Sequence, residues 1–238
     1  MDVSVVELSG PPMAGSGAAP LPPTDSLFRL LSGFTLMAGA GIFVIHLLGR
    51  SVLTAAAGGN TAMFATASLW TATSGLGAIG AGLVILGLSG IFADLANSHD
   101  LRGLLGSVLI ALAWMVLGLF LSLYSMIVLP WLAATLPAQI DGLNSNPPMV
   151  VTFGVGLVAE LAGTLLLGIS LIRRRAGPAW IGYVLLASAL MLVLGDLVIA
   201  PGGPATNVAV NLVSNMGPIL LMVGLGALGQ RQASTSRR

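Results

Sequence analysis

Six apolar stretches, each long enough to cross a bilayer, divide this chain, and its arginines lie almost wholly in alternate gaps between them. The stretches cover roughly 27–48, 68–93, 104–129, 149–172, 179–199 and 208–228. A bilayer span needs about 20 apolar residues. Arg29, Arg102, Arg173, Arg174, Arg175, Arg231, Arg237 and Arg238 fall on one side of the thread, and Arg50 alone falls on the other. Basic residues collect on the cytoplasmic side of polytopic membrane proteins. The pattern predicts an all-α, polytopic integral membrane bundle of six transmembrane helices, N-in and C-in.

The composition fits no soluble surface. Charged residues make up 7% of the chain, against about 25% in a soluble domain. Net charge is +1 and aromatic residues are 5%, so neither a basic field nor a base-stacking face for nucleic acid is present. The absence of cysteine excludes disulfides, thiolate metal sites and Cys nucleophiles. Every basic residue is Arg, which suits a GC-rich bacterial genome. The expected location is a bacterial plasma membrane.

Residues 1–24, with Pro11, Pro12, Pro20, Pro22 and Pro23, read as a flexible cytoplasmic tail without a signal peptide. Residues 25–230 form the membrane domain and 231–238 a second cytoplasmic tail. Thr24 and Asp25 offer N-cap oxygens to the first helix. Pro130, Pro147, Pro148, Pro178, Pro201 and Pro204 fall just outside the proposed spans, where a missing N–H does least harm. Trp131 and Trp180 suit interfacial anchoring. Segment 51–67 carries Gly58, Gly59, Asn60 and Thr61, and is compatible with a loop, an interfacial helix or a re-entrant piece. The loop at 130–148 ends in the turn-rich run 144–148.

Gly-x-x-x-Leu-Gly-x-Ser-x-Ile occurs at 82–91 and again at 163–172. It suggests that the hairpins of stretches two–three and four–five are parallel repeats, a pattern that transporters use. Chance matching among Leu, Gly and Ile is the alternative. The many glycines of the first, second, fourth and sixth stretches read as helix-packing positions, because small residues let backbones approach in lipid.

Glu160 stands out because it falls in the middle of the fourth stretch. A charge at that depth is costly, so the neutral acid is the expected resting form and a proton or cation site the functional reading. The structural alternative is a neutral acid hydrogen-bonded to a neighbouring helix. His46, Tyr124, Asp196 and the pair Asn211 and Asn215, four apart on one helix face, lie toward the outer half. If their faces converge, they line a polar pocket open to the outside with Glu160 at its floor. Each also has a plain reading: Asp196 and His46 as interfacial groups, and the Asn pair as interhelical hydrogen bonds. Asp94, His99, Asp100 and Arg102 form one cytoplasmic turn, read as a solvated loop or a local ion pair.

Catalytic signatures fail. Gly87-Leu88-Ser89-Gly90 resembles the Gly-x-Ser-Gly of rhomboid proteases over four residues only, and His46 lies at the opposite face. Gly195-Asp196 is similar to part of the Gly-x-Gly-Asp of intramembrane aspartyl proteases, but position 193 is Val. His46 and His99 cannot face each other across a haem. No catalytic residue, cofactor or metal is therefore expected. Three classes compete: an accessory or scaffold subunit packing against lipids, other membrane proteins or its own copies; a small, proton-coupled transporter or channel using Glu160; and an intramembrane enzyme, for which no constellation supports the reading.

Overall fold

The computed structural model describes residues 23–140, 146–174, 178–195 and 207–235. The described part is all-helical. Helix α1 covers Pro23–Ala56 and is followed by the short helix α2, Thr61–Ala65. Helix α3 is Ser68–Asn97, and α4 runs through Leu101–Thr135. Helix α5 is Pro147–Arg174 and α6 is Ala179–Leu192. A broken pair, α7 at Val208–Ser214 and α8 at Met216–Thr235, closes the chain. Four of these, α1, α3, α4 and α5, are long and apolar enough to cross a membrane. The pair α7–α8, bent by 54°, makes a fifth where the two are counted as one span. The fifth stretch of the sequence keeps only a 17-residue apolar helix, Ala179–Gly195, among the described residues; 196–199 lie outside them, as do the N-terminal tail through 22 and residues 236–238.

The long helices form a closed ring. Helix α1 packs on α3, α3 on α4, α4 on α5, α5 on α6, α6 on α8, and α8 back on α1. Glycine sets the spacing. A Cβ on Gly39 would lie 2.8 Å from the Gly80 carbonyl oxygen and 2.7 Å from the Val84 nitrogen. At the α4–α5 crossing, a Cβ on Gly106 would lie 2.8 Å from the Gly163 oxygen and 2.7 Å from the Leu167 nitrogen. The third hairpin repeats the register: Ser188 Oγ donates to the Gly217 carbonyl at 2.8 Å, and a Cβ on Gly217 would lie 2.6 Å from the Leu192 nitrogen.

The repeating unit of packing is therefore the hairpin α1–α3, α4–α5 and α6–α8, which differs from the pairing that the sequence motif suggests. The motif's own positions do different work. Gly82 has no neighbour within 4 Å, whereas Gly163 meets the α4 backbone. Ser89 is half-buried and donates to its own helix at Leu86, whereas buried Ser170 donates to Asp100. A shared composition of Leu, Gly and Ile does not fix a shared face.

Several boundaries differ from the sequence reading. Helix α1 already includes Pro23, so Thr24 and Asp25 fall within the helix and not ahead of it. Helix α4 does not stop before Pro130 but runs on to Thr135. Proline cannot donate to the carbonyl four residues back and its ring crowds it. The chain widens into π-helical turns over Trp114–Phe120 and Tyr124–Val128, the second of them just ahead of Pro130. The sixth stretch is broken by 54° at Asn215. Pro218 has the carbonyl of Ser214 four residues before it, which places the kink there.

Segment 51–67 resolves into the end of α1, a turn with Gly58 at φ 60° and Gly59 at φ 76°, and α2. Both glycines occupy the left-handed region that side chains rarely adopt. Asn60 caps α2, its Oδ1 accepting from the Met63 N–H at 3.0 Å. Phe64 and Ala65 are buried against Trp70, Leu129, Leu132, Ala133 and Ile140, so α2 is a packed plug and not a free loop.

All the ion pairs of the described residues lie at one end of the ring. Arg29 meets Asp94 at 3.0 Å, and Gln232 Nε2 donates to the same carboxylate at 3.4 Å. Arg174 meets Asp100 at 2.8 Å and also donates to Ser98 Oγ and the Ser98 carbonyl. Asp100 Oδ1 caps α4 at the Gly103 N–H, 3.1 Å away. The acidic turn is thus a clasp between helices and not a local pair with Arg102. Trp131 and Trp180 are both exposed, as membrane-interface anchors would be.

Candidate functional site

At the end away from those ion pairs, the helices line a partly open cavity of ≈ 520 Å³. Small-molecule sites commonly span about 300–1,000 Å³. The mouth is polar, with Arg50, Ser51 and Thr54 from α1, Thr61 from α2, and Asn211 and Asn215 from the broken pair. The facing side, from α4 and α5, is mostly apolar and aromatic, with Trp114, Leu117, Leu121 and Phe153, and Phe43 of α1 lies about two turns deeper than Arg50.

Glu160 also lines this cavity and is 3% exposed. It sits thirteen residues after Pro147 and fourteen before Arg174. At 1.5 Å per residue that is about 20 Å from either end of α5. In the packing register shared by the hairpins, Glu160 occupies the place that Gly77 takes in α3, three residues before the crossing glycine. There a Cβ on Gly77 would meet the His46 ring at 2.8 Å. One hairpin fills this level with imidazole and the next with a carboxyl.

His46 is buried on the cavity wall, and its Nδ1–H donates to the Thr73 carbonyl at 2.8 Å. That bond fixes the ring and leaves Nε2 as the other functional atom. Asn211 and Asn215 both reach α1: Asn211 Nδ2 donates to the Ser51 carbonyl at 3.3 Å, and Asn215 Nδ2 to Ser51 Oγ at 3.2 Å. Asn215 also donates to the Asn211 carbonyl at 2.7 Å, which satisfies an acceptor freed at the helix break. Tyr124 is half-buried on the π-helical wall of α4.

The structure therefore brings His46, Tyr124, Glu160, Asn211 and Asn215 to one cavity. Asp196, the sixth residue singled out from sequence, lies outside the described residues. Three further residues emerge only here. The Arg50 guanidinium carbon stands 5.3 Å from the centroid of the Trp70 ring. Trp70 is 1% exposed, packs on Phe64, and donates its Nε1–H to the Ser125 carbonyl at 3.1 Å. Trp114 meets Phe43 edge-on at 4.4 Å, and its buried Nε1–H has no hydrogen-bond partner among the described residues. Ser89, the serine of the protease-like tetrapeptide, is on the far part of α3 and outside the cavity wall.

No family model matches this chain, and no match was found among curated proteins or solved structures.

Proposed function

We propose that this protein is a small solute transporter of a bacterial plasma membrane, threaded six times with both termini and the arginine-rich end in the cytoplasm. The observation that carries the reading is the cavity: polar at its mouth, open at one end, with Glu160 near mid-helix at its floor. Intramembrane ionisable groups that face a cavity mark solute and proton paths. Discontinuous helices and π-turns are common at such sites, and here both line the wall. The clasps of Arg29–Asp94 and Arg174–Asp100 seal the opposite end, which describes an outward-open state. A scaffold subunit needs neither the cavity nor the carboxyl in it.

Proteoliposomes holding a pH-sensitive dye test this. A panel of organic anions, amines and sugars is added outside wild type and Glu160→Gln. One solute class is expected to drive proton movement in wild type and none in the variant, with equal melting temperatures. No proton movement in wild type, with Glu160→Gln melting well below it, would make Glu160 a packing group and favour the scaffold.

A further inference from the structure

We propose that the cavity recognises a small organic anion, with Arg50, held over Trp70, as the group that reads its charge and an apolar body lying against the facing apolar side. The inference rests on the cavity being a solute site and adds the class of solute.

An arginine near the end of a membrane helix ordinarily extends toward the headgroups. Arg50 does not: its guanidinium lies over a ring that is itself buried. Trp70 is held by Ser125 and Phe64, so it is a fixed platform for the cation. A cation–π contact acts through the charge and does not require the guanidinium's five N–H donors. The two ion pairs among the described residues are both at the arginine-rich end, and neither involves Arg50. The neighbouring Asn215 amide is already committed to Ser51 and Asn211, and His46 Nδ1–H to Thr73. Arg50 is therefore the cation of the cavity lining, and its donor fork matches carboxylate or phosphate oxygens.

A second donor accompanies it. Trp114 is 2% exposed and lines the same cavity, and its indole N–H has no acceptor among the described residues. A buried donor left without a partner is costly, and indole can only donate. The lining thus joins a cation and a tryptophan with an unpartnered donor to the apolar side chains of Phe43, Leu117 and Leu121. That pattern fits an oxyanion head at Arg50 and an apolar body carrying one further acceptor.

The test uses purified full-length protein in uncharged phosphatidylcholine nanodiscs and three shape-matched probes: phenylacetate, 2-phenylethanol and 2-phenylethylammonium. Binding is read by tryptophan emission and by melting temperature. Phenylacetate is expected to bind at least about tenfold more tightly than the other two. Arg50→Gln is expected to erase that preference, Arg50→Lys to keep part of it, and Trp114→Phe to weaken every probe's binding by less. Equal binding of the three probes by wild type, or preference for the ammonium, overturns the anion assignment while leaving the cavity a solute site. Binding of none overturns both readings. If Arg50→Gln does not fold, Arg50→Lys decides: a folded Lys variant with no anion preference contradicts a role for charge.

Discussion

Polar residues inside apolar runs were readable from sequence because each stands against a uniform background. Glu160, Asn211 and Asn215 stand out in that way, and all three reach the cavity. Arg50 was visible too, but only as the exception to the one-sided arginine pattern. Its value lies in the buried Trp70 ring beneath it, and nothing in a sequence separates that tryptophan from the exposed Trp131. Trp114 gives no signal for the same reason. A residue-level test concerns the bridge between α1 and α3. Ser32 Oγ donates to the Gly87 carbonyl at 2.6 Å and accepts from the Gly90 N–H at 3.0 Å. Ser32→Ala removes both bonds from a buried site and is expected to cost about 1–3 kcal/mol, read as a lower melting temperature; an unchanged melt would mean that these bonds contribute nothing net.

Among the elements, the existence of the helices followed from apolar length, but their ends and breaks did not. A proline is read as a stop, yet α4 absorbs Pro130 by widening its turns. The break at Asn215 lies within an unbroken apolar run, and only the position of Pro218 hints at it. Glycine spacing told that the helices pack closely without telling which pairs do. The crossing at Gly39 and the open position at Gly82 separate the two cases. Gly39→Ala places a methyl against the Gly80 and Val84 backbones, with an expected loss of about 1–3 kcal/mol. Gly82→Ala meets nothing within 4 Å and is expected to gain up to about 1 kcal/mol from helix propensity. Comparison of the two melts checks the ring: equal effects would contradict the α1–α3 contact.

On the scale of the whole molecule, the sequence carried the asymmetry of charge but not the closure of the ring, because no periodicity names a helix's neighbour. The structure gathers both ion pairs at one end and the cavity at the other. Asp100 is central to the ion-pair end. Burial acts to raise the proton affinity of its carboxyl. Hydrogen bonds from Ser170 and the Gly103 N–H, the charge of Arg174 and the Arg102 N–H outweigh burial and hold its pKa below the usual carboxylate value. A group depressed in this way stabilises the fold above its unfolded pKa of about 3.9 and loses that contribution as pH falls through the lower folded value. Wild type is therefore expected to lose stability below about pH 4, and Asp100→Asn to melt lower at neutral pH and show a shallower acid decline. Parallel acid declines would remove Asp100 from the clasp.

The most direct measurement of a one-ended cavity uses the absence of cysteine in this chain. Single cysteines are placed at Ser214, on the cavity wall, and at Ser98, in the clasp at the other end. Intact cells are then treated with a maleimide that cannot cross membranes. The account expects Ser214→Cys to be labelled from outside and Ser98→Cys only after the cells are opened. Labelling of Ser98→Cys in intact cells, with Ser214→Cys protected, would contradict it.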